Sequence, residues 1–221
     1  MNLEPSACTQ ACEDRDFAEW HQGCPWCAVW VVGLEDASVK AHVAALRAVV
    51  QPWLLPRYER QPHITLGYRG LMAGPEGHHA AQFAAPQLAQ DIAALQVLAL
   101  QPFTVHLQGA DSFATVPYLA VQASAELQQL HQALMGSALY PDWHYVPHVT
   151  LGHYACNTPA APILQRLHAV AQTLPALVLS VQQLQLVRYQ SHDIAGSLTV
   201  EGCWDLHLQR YVPQAQALLQ L

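Results

Sequence analysis

Two seven-residue strings of the sequence combine histidine, threonine and glycine in the same order. They are Pro-His-Ile-Thr-Leu-Gly-Tyr at 62–68 and Pro-His-Val-Thr-Leu-Gly-His at 147–153. With 13 histidines and eight threonines in 221 residues, a single His-x-Thr arises about half a time by chance, so one string alone means little. The same frame used twice indicates a shared chemical role. The alternative is a duplicated core strand whose histidines are structural.

The spacing places histidine and threonine together if each string is a β-strand. Side chains alternate between the two faces of a strand, so His63 and Thr65 share one face, while Ile64 and Leu66 share the other. We expect the apolar pair to enter the core and the polar pair to face a groove. Gly67, next on the polar face, would allow a ligand to lie close to the backbone. The second string predicts the same arrangement.

Two such faces set against each other would surround one point with two imidazoles and two hydroxyls. Histidine has an ordinary pKa of about 6.5, so one of His63 and His148 can act as general base while the other acts as general acid. The hydroxyls of Thr65 and Thr150 can donate to the non-bridging oxygens of a phosphate. No cluster of Asp and Glu at metal-binding spacing accompanies the strings. The sequence therefore predicts phosphoryl transfer by these four residues without a metal ion or other cofactor.

Hydrophobic periodicity predicts the elements that position the two strings. The predicted strands are 27–33, 63–68, 103–107, 118–123, 146–154, 177–188 and 197–208, and the predicted helices are 36–50, 86–100, 125–139 and 160–174. The order of strand, helix and strand occurs once in each half of the chain. A unit of this length that occurs only twice predicts two lobes, each a small sheet backed by helices, rather than a solenoid.

The predicted fold class is α+β, a bilobal and pseudo-two-fold arrangement of two mainly antiparallel sheets with flanking helices around a central groove. The short link from Gly109 to Ser112 between two predicted strands favours antiparallel pairing, because parallel strands need a long crossover. The predicted divisions are an N-terminal arm at 1–26, one catalytic domain at 27–208 with lobe-level repeats at about 27–109 and 117–208, and a C-terminal tail at 209–221.

Composition limits the classes of partner. The chain has 221 residues, 52% of them hydrophobic, which is enough for a sizeable core. Lys40 and eight arginines oppose 16 acidic residues, and the formal net charge of −7 argues against a broad basic surface for duplex DNA. A nucleotide or an RNA terminus suits this charge better. The N-terminus lacks the basic start and apolar stretch of a secretory signal, so we expect a cytoplasmic monomer that does not associate with membranes.

Four of the six cysteines lie near the N-terminus, namely Cys8, Cys12, Cys24 and Cys27. Their spacing could supply four thiolates to zinc. The Cys-Pro-Trp-Cys string at 24–27 also has the spacing of a redox dithiol, but that motif opens a helix after a strand, and here a strand follows it. Because a reducing cytoplasm favours free thiols, we interpret these cysteines as mostly free.

The paired Pro-His-[Ile/Val]-Thr-Leu-Gly strings resemble the signature of the two-histidine (2H) phosphoesterases, in particular the branch of 2′-5′ RNA ligase-like proteins and RNA 2′,3′-cyclic phosphodiesterases. The match runs from about 27 to 208. The resemblance implies a bilobal fold, hydrolysis of 2′,3′-cyclic phosphates to a 2′-phosphate in RNA end processing, and sometimes reversible 2′-5′ RNA joining. It also implies that His63 and His148 are the acid and base and that Thr65 and Thr150 bind the phosphate. The resemblance does not assign which histidine is the acid.

The second string departs from the family pattern at its last position. Members of the bacterial ligase-like branch commonly have an Arg there that helps to bind phosphate, whereas this chain has His153. Strand alternation would turn His153 away from the groove and Tyr154 into it. After the first string, alternation places Arg69 on the His63 face, where it is a candidate phosphate ligand or a solvated surface residue. The candidate substrate-binding residues are therefore Tyr68, Arg69, His153 and Tyr154.

Residues that precede each string can border the groove, namely Arg57, Tyr58, Arg60, Trp143 and Tyr145. They would supply phosphate contacts and base stacking, or they would pack on their own lobe. The four catalytic residues would also suit other cyclic or 2′-5′ linked oligonucleotides. A non-catalytic module that binds nucleotides or RNA ends and a metallohydrolase are the remaining hypotheses.

Overall fold

The computed structural model describes residues 2–135 and 144–219. Its strands are β1 Trp26–Gly33, β2 His63–Met72, β3 Phe103–Ser112, β4 Pro117–Val121, β5 His148–Thr150, β6 Leu177–Val181, β7 Gln183–Gln190, β8 Thr199–Asp205 and β9 Arg210–Pro213. Its helices are α1 Ala18–His21, α2 Ala37–Val50, α3 Ala85–Leu98, α4 Ala125–Met135 and α5 Ala160–Ala171, with a 3₁₀ turn at Gln51–Trp53. The part of the helix predicted at 125–139 that follows residue 135 lies outside the described residues.

The strands form two antiparallel sheets. The first sheet has the order β2-β1-β7-β8-β9, and the second has the order β5-β4-β3-β6. Every neighbouring pair of strands within these sheets is antiparallel. Helices flank the sheets, since α4 packs against β2 and α5 packs against β3. The predicted α+β class with mainly antiparallel sheets is confirmed.

The sheets divide the strands differently from the predicted repeats. β3 begins within the first predicted repeat, yet it pairs with β4 and β6 of the second sheet. The strand predicted at 177–188 is two strands, β6 and β7, which are separated by Gln182 and belong to different sheets. β8 and β9 then extend the first sheet, although β9 lies in the predicted tail. The first sheet thus combines the earliest and latest strands, and the second sheet contains those between.

The helix between β1 and β2 shows how local sequence forms these elements. Asp36 caps α2, because its carboxylate accepts a hydrogen bond of 2.7 Å from the Ser38 amide. Val39 and Leu46 lie at helical spacing and are buried. Pro52 lacks the amide hydrogen that an α-helix needs, and the chain leaves the helix there for the loop that leads to β2.

One continuous apolar core draws on both sheets. It contains Trp30 and Trp204 from the first sheet and Leu107 and Leu119 from the second. Close-packed interiors resist displacement of their parts. The core therefore holds the two sheets in a fixed relation to each other.

Side chains from α4 and from the segment before the second string contact the first string. His131 on α4 lies with its Nδ1 atom 2.8 Å from the Leu66 carbonyl oxygen, and the Tyr145 hydroxyl donates to the Thr65 carbonyl at 2.8 Å. The rings of His131 and Tyr145 stack with centroids 4.2 Å apart. These contacts fix β2 against elements that come from the second half of the chain.

The N-terminal arm lies along the second sheet. The Leu3 amide donates to the Ser112 carbonyl at 2.7 Å, and the Thr9 amide donates to the Thr158 carbonyl at 2.9 Å. The Leu3 side chain packs against Ala160 of α5. The arm therefore covers apolar surface of α5 beside the second sheet.

All six cysteines lie outside disulfides. Cys24 and Cys27 are buried, and the Cys24 thiol donates to the Met72 carbonyl at 3.4 Å. Within residues 2–135 and 144–219, no three His, Cys, Asp or Glu side chains meet in a way that could hold a metal ion. In that same part of the chain, we find no helix whose length and apolar character would allow it to cross a membrane.

Candidate active site

His63 and His148 are the first residues of β2 and β5, which are edge strands of the two sheets. β2 and β5 lie next to each other. The two imidazoles are close enough for positive charge on His148 to lower the pKa of His63. The space bordered by His63, Thr65, His148 and Thr150 is called the groove below.

The backbone holds each imidazole in the same way. The Nδ1 atom of His63 lies 2.7 Å from the Gln61 carbonyl oxygen, and the Nδ1 atom of His148 lies 2.7 Å from the Val146 carbonyl oxygen. A carbonyl oxygen only accepts hydrogen bonds, so Nδ1 carries a hydrogen in both rings. In the neutral ring the Nε2 atom is then unprotonated. Each Nε2 can therefore take up a proton and later return it.

Burial lowers the pKa of both histidines. It is the largest cause for His63, whose pKa falls to about 4. The Gln61 carbonyl opposes this shift, and the charges of Arg60 and His148 add to it. Burial also lowers the pKa of His148, with the Val146 carbonyl opposing it. Both rings are therefore mainly neutral at pH 7 in the free protein.

Thr65 and Thr150 share the faces of their histidines. β2 pairs with β1 in unbroken register from His63 to Thr65, and β5 pairs with β4 in the same way from His148 to Thr150. Period-two alternation therefore holds over these three-residue segments. The Tyr58 phenol lies beside Thr150, and their hydrogen bond partly offsets the rise in the pKa of Tyr58 that burial causes. The four predicted catalytic side chains thus border one groove.

β2 contains an irregularity directly after Thr65. Thr65 and Gly67 pair with consecutive residues of β1, so Leu66 is the additional residue of a β-bulge. The bulge turns Gly67 away from the groove, against the prediction from alternation. A Cβ atom on Gly67 would lie 3.0 Å from the Leu134 side chain, so the glycine allows α4 to pack closely on β2.

A second bulge reverses the predicted orientation of Arg69. Tyr68 and Gly70 pair with consecutive residues of β1, which leaves Arg69 as the additional residue. Its guanidinium forms an ion pair of 2.9 Å with Asp91 of α3 and donates to the Leu134 carbonyl of α4. The predicted position of Arg69 on the groove face is therefore wrong, because each bulge interrupts the period-two alternation.

The first bulge also turns Tyr68 into the groove, whereas unbroken alternation from His63 would have turned it away. Tyr68 and Thr65 pair with residues two apart on β1, so both side chains lie on the groove face. The Tyr68 side chain is 40% exposed, and its hydroxyl lies 3.9 Å from the Cys27 thiol. Tyr189 on β7 pairs with Cys27 and lies on the same face. Two tyrosines therefore line this end of the first sheet.

The chain after β5 reverses the predicted positions of His153 and Tyr154. β5 ends before Gly152, whose φ of +154° interrupts the strand, so alternation does not extend to these residues. Tyr154 is fully buried, and its hydroxyl shares a hydrogen bond of 2.7 Å with Ser112. The predicted position of Tyr154 in the groove is wrong. The His153 ring instead lies edge-on to Tyr58, with centroids 5.3 Å apart.

The loop before β2 contains two arginines, of which Arg60 lies at the groove and Arg57 is ion-paired outside it. The Arg60 guanidinium lies 4.0 Å from the centroid of the Tyr189 ring. Arg57 is ion-paired with Asp193 at 2.7 Å, which draws it away from a ligand role. Trp143, which was predicted to border the groove before the second string, lies outside the described residues.

Phe113 and Tyr118 surround His148. Their ring centroids lie 5.0 Å and 5.3 Å from the centroid of the imidazole. Tyr118 also pairs with Thr150 on the neighbouring strand. Their spacing along the chain does not distinguish them from core aromatics, so no sequence signal identified them. They exclude water from one side of His148, which agrees with the lowered pKa of this residue.

The groove combines two neutral imidazoles, two threonine hydroxyls and the Arg60 cation. Such a set can bind an anion, accept a proton at one Nε2 atom and, once the other ring is protonated, donate a proton from its Nε2 atom. The hydroxyls and the guanidinium can stabilise negative charge that develops between them. The arrangement therefore suits displacement at a phosphorus atom.

Comparison with known proteins supports this interpretation. The family model described as the 2′-5′ RNA ligase superfamily matches residues 35–193. The TT0787 protein of Thermus thermophilus is 18% identical with a TM-score of 0.53, covering 81% of this chain and 97% of TT0787. Apo LigT of E. coli is 16% identical with a TM-score of 0.51, covering 82% of this chain and 97% of LigT. These structures share the fold, whereas a comparison with curated proteins found no similar sequence.

Proposed function

The chain belongs to the 2′-5′ RNA ligase superfamily of 2H phosphoesterases, and on that premise we propose that it opens 2′,3′-cyclic phosphates of nucleotides or RNA ends without a metal ion. The observation that carries the proposal is the matched pair of histidines. Each Nδ1 atom lies 2.7 Å from the carbonyl oxygen two residues earlier, and neither Nε2 atom has a hydrogen-bond partner among residues 2–135 and 144–219. The product would be a 2′-phosphate with a free 3′-hydroxyl.

The reaction requires one proton to leave the attacking water and one proton to reach the departing O3′ atom. Water attacks phosphorus from the side opposite O3′, and the base takes the water proton as the new P–O bond forms. The bond from phosphorus to O3′ breaks, and the acid gives its proton to the departing oxygen. The base ends protonated and the acid ends neutral, so exchange with solvent restores the starting state.

We assign the base to His63 and the acid to His148. Burial lowers the pKa of His63, and the positive charge of Arg60 lowers it further, so this ring is neutral, as a base requires. Among the described residues, no cation contributes to the lowered pKa of His148. A phosphate anion in the groove would therefore bring a proton to His148 more readily than to His63.

We propose that Thr65 and Thr150 bind the non-bridging oxygens. Each hydroxyl lies on the same strand face as its histidine, two residues further along. Hydroxyl donors aimed at phosphate oxygens stabilise the charge that grows in the transition state. Each sheet thus contributes one histidine and one threonine to the proposed site.

The wild-type protein is expected to hydrolyse a 2′,3′-cyclic nucleotide in the presence of EDTA and to release a 2′-phosphate, because proton transfer by histidine needs no metal. The assay compares this substrate with an RNA that ends in a cyclic phosphate, a 2′-5′ linked dinucleotide, a 3′-5′ linked dinucleotide and a cyclic oligonucleotide. Phosphorus NMR identifies the product. RNA ends with a 2′-phosphate or cyclic phosphate and a 5′-hydroxyl test for 2′-5′ joining.

Other outcomes distinguish the alternatives. Faster turnover of a 2′-5′ linked or cyclic oligonucleotide would assign the site to that substrate. Tight nucleotide binding without turnover of any substrate would indicate a binding module. Activity that EDTA abolishes and a divalent ion restores would contradict the metal-free mechanism.

The pH profile of kcat/KM is expected to have its maximum below neutral pH. A base acts when deprotonated, so activity falls as pH decreases through the pKa of His63, which is about 4. An acid acts when protonated, so activity falls as pH rises through the pKa of His148, which burial holds below its ordinary value. Initial rates at low substrate concentration measure both limbs. A basic limb well above neutral pH would contradict the assignment.

A further inference from the structure

Arg60 lies at the edge of the groove, three residues before His63. The centre of its guanidinium lies 4.0 Å from the centroid of the Tyr189 ring, so the ring supports the planar group. Its Nε atom is buried and has no hydrogen-bond partner among the described residues. Buried polar atoms normally have a partner, so the described residues leave this guanidinium incompletely hydrogen-bonded.

The loop that carries Arg60 is held in place by the residue that follows it. The Leu198 amide donates to the Gln61 side-chain oxygen at 2.8 Å, and the Gln61 side-chain amide donates back to the Leu198 carbonyl at 3.1 Å. The Gln61 carbonyl lies 2.7 Å from the His63 imidazole. Arg60 and the base histidine are therefore positioned by the same short segment.

Two arginines that flank Arg60 along the chain are ion-paired, unlike Arg60. Arg57 is ion-paired with Asp193 at 2.7 Å, and Arg69 is ion-paired with Asp91 at 2.9 Å. No carboxylate within 2–135 or 144–219 forms an ion pair with Arg60. Its charge is therefore available to an anionic ligand in the groove.

The charge of Arg60 acts on both sides of the groove. Burial is the largest cause of the lowered pKa of His63 and His153, about 4 in each, and Arg60 adds to both shifts. Arg60 also opposes the rise in the pKa of Tyr58 that burial causes. Because both histidines are neutral at pH 7, Arg60 is a source of positive charge beside them, and Arg47 is a second cation beside Tyr58.

Resting on the phosphodiesterase function proposed above, we propose that Arg60 binds the phosphate group of the substrate and thereby selects anionic phosphodiesters. Its guanidinium offers parallel N–H donors that match two phosphate oxygens, and Tyr189 keeps its plane in place. The phosphate is then held beside the base histidine that follows Arg60 on the same segment.

The first test measures binding of inorganic phosphate, which does not depend on turnover. Arg60→Gln is expected to raise the Kd for phosphate by about 10- to 100-fold, the effect of losing charge-assisted hydrogen bonds. Arg60→Lys keeps the charge without the paired donors, so its Kd for phosphate should lie between those of the wild type and Arg60→Gln. Arg166→Gln is the matched control, because Arg166 lies 5.0 Å from the Trp53 ring on exposed α5 surface and should bind phosphate as the wild type does. Titration calorimetry at pH 7 measures all four.

A second measurement separates phosphate binding from a purely structural role. KM for the cyclic nucleotide should rise in Arg60→Gln by a factor similar to that for phosphate. The pKa of His63, followed by NMR, should also rise, because a nearby cation is removed. Arg166→Gln should change neither quantity.

The outcomes distinguish Arg60 from the proposed function itself. Equal phosphate affinity in wild type and Arg60→Gln, or no phosphate binding by the wild type, overturns the role of Arg60. Arg60-dependent phosphate binding in a protein that hydrolyses no diester supports the role of Arg60 and rejects the phosphodiesterase function. If Arg60→Gln remains active and its KM and phosphate affinity equal those of the wild type, the phosphodiesterase function is supported and the role of Arg60 is rejected.

Discussion

His63→Ala and His148→Ala are each expected to lower kcat on a 2′,3′-cyclic nucleotide by about 10²- to 10⁴-fold, the contribution of a positioned acid or base. Each change removes an imidazole whose Nδ1 atom is held by a backbone carbonyl and whose Nε2 atom would transfer the proton. The double variant should be less than additive, because acid and base act in one step. Steady-state kinetics in EDTA, with circular dichroism to confirm folding, measure the effect.

His207→Ala provides the control for these variants. His207 is exposed and lies after β8, outside the groove, so its removal should leave kcat and KM unchanged. The pH profiles add a test of the individual roles. His63→Ala should lose the acidic limb and His148→Ala the basic limb of whatever activity remains. Full activity in both single variants would reject the two-histidine mechanism.

Arg69→Met is expected to lower the free energy of unfolding by about 3–5 kcal/mol and to leave kcat/KM of the folded protein unchanged. Asp91 is 4% exposed, pairs with Arg69 at 2.9 Å and accepts a hydrogen bond of 2.8 Å from the Trp30 indole. Without Arg69, a buried carboxylate is left with one donor. Urea denaturation at neutral pH measures the loss.

The pH dependence of this loss has a definite sign. Burial raises the pKa of Asp91, and removal of Arg69 raises it further, because Arg69 is the largest opposing influence. A carboxyl whose folded-state pKa lies above its unfolded value destabilises the fold at high pH and ceases to do so when both states are protonated. The deficit of Arg69→Met should therefore shrink as pH falls.

Two further variants test the explanation. Asp91→Asn in the Arg69→Met background should recover much of the stability, because Asn is neutral and still accepts from Trp30. Lys40→Met, which removes an exposed ion pair with Glu35, should cost only about 0–1 kcal/mol. Reduced activity with unchanged stability in Arg69→Met would instead place Arg69 at the groove.

The shared strand face of each histidine and threonine could be predicted from the sequence, because it depends only on residues next to each other in the chain. His63 and Thr65 share a face through three residues of unbroken strand, and His148 and Thr150 do the same. The α2 cap at Asp36 and its buried stripe also depend on residues within a few turns. The α+β class followed from the order of these elements.

Alternation failed where contacts from distant segments changed the strand. α4 packs on β2 where the two bulges lie, and these turn Gly67 and Arg69 away from the groove. Gly152 ends the alternation after β5 and lets Tyr154 enter the core. A single predicted strand at 177–188 became β6 and β7, since a hydrophobic pattern does not specify which sheet a strand joins.

The sequence by itself determined which histidines and threonines share a strand face, the order of helices and strands, and hence the fold class and the candidate catalytic residues. Only the tertiary structure decided that β2 and β5 lie together, that Arg60 faces this groove while Arg69 supports the core, and that Phe113 and Tyr118 surround His148. The physical reason is the separation along the chain of the residues that interact. Strand alternation and helix periodicity depend on neighbours in sequence, whereas burial, bulges and ion pairs depend on residues brought together by packing.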